Sequence, residues 1–77
     1  MANERNAERA RDALRAALEA LHRGETVPVS ARAFRMSTSD LWELAHELRV
    51  VSCPDASIVW RNGTLTFKFD PRVISQR

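Results

Sequence analysis

Two histidines, one cysteine and ten carboxylates are the side chains of this 77-residue sequence suited to metal binding or proton transfer. Their spacing does not assemble them. His22 and His46 fall on different predicted helices, Cys53 has no histidine near it in sequence, and no glycine-rich phosphate loop is present. One thiol neither closes an intramolecular disulfide nor completes a zinc site, and it fits a reducing, cytoplasmic setting. His22 reads as a cation at a helix end, His46 as a solvated helix residue, and Cys53 as a small loop residue. The expectation is a protein without catalysis, metal or cofactor.

The remaining chemistry is charge. Twelve cations against ten anions leave a formal net charge of +2, and eleven of the twelve are arginine. Guanidinium groups suit bidentate contacts to phosphate or carboxylate, although the codons of a GC-rich genome produce the same enrichment. Their placement therefore matters more than their number. The first residues are charged and offer no apolar signal segment, and no stretch approaches the roughly 20 apolar residues of a spanning helix. A chain of this length holds one domain with one small core.

The elements that position these side chains follow from periodicity. Ala7, Ala10, Leu14, Ala17, Leu18 and Leu21 recur at helical spacing and predict one helix over about 3–23. Gly24 ends it as a left-handed cap, with His22 and Arg23 in the last turn. Glu8 with Arg11, Arg15 with Glu19 and Glu19 with Arg23 have the spacing of helical ion pairs. Residues 26–29 contain Pro28 and read as an edge strand or extended connector able to pair with a later hairpin. Ser30 then caps a short predicted helix over 31–35. A longer one runs over about 38–50, with Leu41, Leu44, Ala45 and Leu48 as its buried stripe and Ser37 or Ser39 as its cap.

Residues 57–69 alternate apolar and polar on either side of Asn62-Gly63, the pair that best accepts positive φ in a two-residue turn. This loop length sets Arg61 opposite Thr64, Trp60 opposite Leu65, Val59 opposite Thr66, Ile58 opposite Phe67 and Ser57 opposite Lys68. Ile58, Trp60, Leu65, Phe67 and Phe69 then share one face. Ser57, Arg61, Thr64, Thr66 and Lys68 share the other, where Val59 is the one apolar residue out of place. Pro71 stops the second strand, and residues 70–77 read as a basic tail.

Ser30-Ala-Arg-Ala-Phe-Arg-Met-Ser37 resembles the helix-turn-helix pattern L-A-x-x-L-G-V-S, with Ala31, Phe34, Met36 and Ser37 in matching places. Ser30 replaces the usual leucine and Arg35 the turn glycine. Together with the element order over about 6–69, the segment resembles a winged helix-turn-helix domain, an α+β fold. The resemblance implies a small regulator of transcription, of bacterial or phage type, that binds double-stranded DNA. It places Ser37, Thr38, Ser39, Trp42, Glu43 and His46 at the groove and Arg61 and Asn62 at the wing tip, flanked by Arg32, Arg35, Arg49 and Lys68. Such domains commonly dimerise, and the alanine-faced first helix is the expected seam.

The exposed side of the second long helix points elsewhere. It carries Asp40, Glu43 and Glu47, and two glutamates near its middle repel a phosphate-lined groove. The alternative is a protein-binding module, such as a phage-encoded inhibitor or adaptor, that meets a basic protein surface with Asp40, Trp42, Glu43, His46, Glu47 and Val50. Tryptophan is enriched among residues that anchor protein interfaces.

Overall fold

The structure, a computed structural model, describes residues 4–69. The basic tail expected at 70–77 lies outside the described residues. The first helix, α1 (Glu4–His22), forms where the apolar spacing predicts it. Its inner stripe of Ala10, Leu14, Ala17, Leu18 and Leu21 is buried in the core. Gly24 stops it at φ +83°, as its N–H bonds the Leu21 carbonyl at 3.0 Å and the Glu25 N–H reaches the Ala20 carbonyl at 2.9 Å. These paired bonds satisfy two end carbonyls that the helix itself leaves open. Arg15 pairs with Asp12 at 3.3 Å rather than with Glu19, and Arg23 with Glu25 at 3.8 Å rather than with Glu19.

Strand β1 is two residues long, Val29–Ser30, which corrects the predicted role of Ser30. Ser30 caps nothing; it pairs with Thr64 in the sheet. The helix predicted over 31–35 is a single 3₁₀ turn, Arg32–Phe34, without a side-chain cap. Two local constraints account for this. The Ala31 N–H is held by the Gly63 carbonyl at 3.2 Å, which ties the start of the turn to the hairpin. Arg35 then takes a left-handed conformation (φ 53°, ψ 42°), so the Arg35 and Met36 N–H groups close on the Arg32 and Ala31 carbonyls, both at 3.1 Å.

The second long helix, α2 (Thr38–Ser52), runs two residues past its predicted end. Ser37 is its cap, with Oγ accepting from the Asp40 N–H at 3.1 Å, and Ser39 lies within the first turn. Strands β2 (Ala56–Arg61) and β3 (Thr64–Phe69) form the hairpin in the predicted register, closed by Asn62 at φ 53° and Gly63 at φ 77°. The sheet is antiparallel with order β1-β3-β2, so β2 is an edge. Leu14, Leu41, Leu65 and Phe67 meet at the centre of the core. The fold is α+β: two helices on one face of a three-stranded sheet, whose other face carries Ser57, Val59, Arg61, Thr64, Thr66 and Lys68. No helix among the described residues is long and apolar enough to cross a membrane.

Candidate functional site

Helix α2 divides the candidate residues between two flanks. At about 100° per residue, a stripe centred on Leu41, Ala45 and Leu48 places Asp40, Leu44 and Glu47 to one side and Trp42, His46 and Arg49 to the other. Glu43 and Val50 are left on the ridge. The surroundings agree with this sorting. Asp40, Glu43 and Glu47 rim a groove between α1 and α2 whose floor is Ala7, Met36 and Leu44. Trp42 faces β2 instead, between one groove shared with Thr38, Ser39, Glu43, Trp60 and Gly63 and a second shared with Arg49, Pro54, Ala56, Ser57 and Ile58.

The structure therefore gathers the proposed protein-binding residues in two neighbouring groups, joined by Glu43, which lines both the acidic groove and the groove of Trp42. Asp40, Glu43 and Glu47 belong together, with Val50 further along the ridge. Trp42 and His46 form a separate pair whose rings stack at 4.8 Å between centroids and 6° between planes. His46 is not the solvated residue that its place in the sequence predicts. It is half-buried, and its Nδ1 is enclosed without a hydrogen-bond partner. Trp42 remains 41% exposed, with its inner side against the cleft to β2. Trp60 is half-buried and packs against the core while also lining that cleft.

Of the residues proposed for DNA, Thr38, Ser39, Trp42 and Glu43 line one groove with Gly63 of the hairpin turn, and Thr38 lines the next with Arg32 and Asn62. Thr38 and Ser39 are exposed on the first turn of α2, and Ser37 is committed to its cap. Arg61 and Asn62 are exposed at the hairpin tip, and Asn62 shares a shallow groove with Ser30, Arg32, Met36, Thr38 and Gly63. Arg35 is exposed on the neighbouring turn. Two cations do not join them. Arg49 lies about 16 Å along α2 from Thr38 at 1.5 Å per residue. Its guanidinium donates to the Ala56 carbonyl at 2.9 Å and to the Pro54 carbonyl at 3.4 Å, binding the end of α2 to the start of β2. Lys68 lies about 13 Å along β3 from the closing pair of the hairpin.

Three further residues belong to the α1–α2 groove. Ala7 and Leu44 carried a sequence signal only as buried-face positions, because a groove floor and a core stripe share the same periodicity, and Met36 only as an apolar position of the helix-turn-helix resemblance. The small-residue face that made α1 the expected dimer seam is occupied within the chain, since Ala10 and Ala17 are buried. No group of three or more histidine, cysteine, aspartate or glutamate side chains suited to a metal ion is present among the described residues. No protein-family model matches the chain, and no curated protein or solved structure matches it either.

Proposed function

We propose that this protein is a protein-binding module of winged-helix type, docking a basic segment of its partner on the Asp40, Glu43 and Glu47 flank of α2. One observation carries this reading. Three carboxylates surround an apolar-floored groove, while Arg49, the sole cation of α2, is turned away into the backbone of residues 54 and 56. A helix so charged repels phosphate and attracts lysine or arginine, and the Ala7, Met36 and Leu44 floor accepts the apolar stem of such a side chain. The partner is a protein surface with clustered cations around an aliphatic anchor.

A second reading, DNA binding, draws on Arg61 and Arg32 beside Asn62 at the hairpin tip and on the exposed Arg35. The two separate in one pair of measurements. Fluorescence anisotropy of labelled random-sequence duplex DNA at about 50 mM salt is expected to show no binding, whereas DNA binders of this kind bind and weaken steeply by about 200 mM. Partners captured from native cells by the wild-type chain should be lost with Glu43→Arg/Glu47→Arg and retained with Arg61→Ala. Salt-sensitive DNA binding that falls with Arg35→Ala/Arg61→Ala would overturn the protein-binding reading.

A further inference from the structure

We infer that β2 is a self-pairing edge, on which a second copy of this chain adds its own β2 antiparallel, in register about Val59. The inference starts from hydrogen-bond parity. In a hairpin closed by a two-residue turn, the flanking pair Arg61 and Thr64 exchanges bonds, and alternate residues follow it. Val59 and Ser57 therefore direct their backbone groups to β3, and Ala56, Ile58 and Trp60 direct theirs to the open side. Two observed bonds agree: Arg49 reaches the Ala56 carbonyl from that open side, and on β3 the opposite parity faces β1, where the Gly63 carbonyl accepts from Ala31.

The open groups are not equivalent. The Ala56 carbonyl is taken by Arg49, and the Ala56 N–H donates to the Cys53 carbonyl at 3.0 Å. Ile58 and Trp60 keep theirs without a partner among the described residues, at positions i and i+2. A second β2 centred on Ile58 would require Ala56, and one centred on Val59 does not. In that register Ile58 of each copy faces Trp60 of the other, so the four open groups of each copy are satisfied and none is left over. The pairing is its own mate under a two-fold axis, as a closed dimer demands.

Side chains fit the same register. Val59 is 39% exposed on a hairpin face that is otherwise polar, a position with no account inside one chain. Across the two-fold it meets Val59 of the second copy as a non-hydrogen-bonded pair, the closest side-chain approach in an antiparallel ladder. On the other face Ile58 packs beside the second copy's Trp60, next to the cleft that already exposes Trp42. Edges that must stay single usually carry lysine, proline or a bulge. Residues 57–60 have none of these.

This surface lies on the Trp42 flank of α2, away from the acidic groove, so the inference stands or falls independently of the proposed function. Sedimentation equilibrium of the full chain across a concentration series should show reversible doubling of mass. Val59→Lys, which sets like charges directly opposite at a solvent-facing position, should stay folded and monomeric. Val59→Cys should form a covalent dimer under mild oxidation, with Val51→Cys, 85% exposed and off the edge, as the control that does not at a comparable rate. Cys53 is buried and does not compete. A wild-type mass that stays monomeric, a dimer that survives Val59→Lys, or equal cross-linking at both cysteine positions would overturn the inference. A monomer that instead binds a foreign extended peptide along β2 would also count against self-pairing.

Discussion

Arg35 carries a β-carbon into a left-handed turn (φ 53°, ψ 42°), where an L side chain crowds the following carbonyl at a cost of about 1–2 kcal/mol. Its guanidinium is exposed and forms no ion pair among the described residues, so nothing observed offsets that cost. Glycine relieves the crowding but loses about 0.5–1 kcal/mol of backbone entropy. Arg35→Gly should therefore stabilise the protein by about 0.5–1 kcal/mol and raise the melting midpoint by a few degrees in circular dichroism, since 1 kcal/mol corresponds to about 4–8 °C in a domain this size. An unchanged or lower midpoint would show that the arginine supports the turn. The sequence flagged this residue, because the resemblance puts glycine there; it did not reveal that Arg35 adopts the glycine conformation anyway. His46 was less legible. Its one-dimensional position gives an exposed helix face and reveals neither the stacking of Trp42 on its ring nor its half-buried state.

At the scale of elements, legibility followed the number of independent signals. The hairpin register was readable because a period of two and a turn needing two positive φ angles specify the same pairing, and a slip of one residue would turn Phe67 outward. The segment 31–35 rested on a cap at Ser30 and on the helix-turn-helix resemblance, with no periodicity of its own. The left-handed Arg35 ends it after one 3₁₀ turn, and the Gly63 carbonyl, remote in sequence, takes the otherwise open Ala31 N–H. Arg49 shows the same limit, since its acceptors are the Pro54 and Ala56 carbonyls and backbone acceptors have no residue type to read. Arg49→Met keeps the aliphatic stem but removes both bonds. Hydrogen bonds to a charged group contribute about 1.5–3 kcal/mol, less where solvent competes, so a loss of about 1–2 kcal/mol is expected in urea denaturation. The same substitution should leave partner capture unchanged. A stable variant with impaired capture would return Arg49 to the surface chemistry from which its bonds now separate it.

On the whole-molecule scale, the net charge of +2 conceals a separation: carboxylates line the α1–α2 groove, whereas Arg61 closes the hairpin and Arg32 lines the groove beside Asn62 and Gly63. Both regions hang on one core, to which α1 contributes Ala10, Leu14, Ala17, Leu18 and Leu21. A hairpin alone is marginal in water, and α2 has only Leu41 and Ala45 fully buried, so neither should persist once α1 loosens. Leu14 is wholly buried, and Leu14→Ala should cost about 3 kcal/mol, within the range of about 2–5 kcal/mol for such truncations. For 77 residues the total stability is about 4–12 kcal/mol, so this single cavity consumes a large share of it. The chain also supplies two separate reporters. Trp42 and Trp60 sit on α2 and β2 and sense that cleft by fluorescence, whereas α1 supplies more of the helical circular dichroism than α2. Coincident urea transitions in both signals, shifted together by Leu14→Ala, are expected if one cooperative unit links α1 to the hairpin. If Leu14→Ala lowered the helical transition and left tryptophan fluorescence in place, α2 and the hairpin would form a separate folding unit, and the acidic groove would depend on an α1 that docks late.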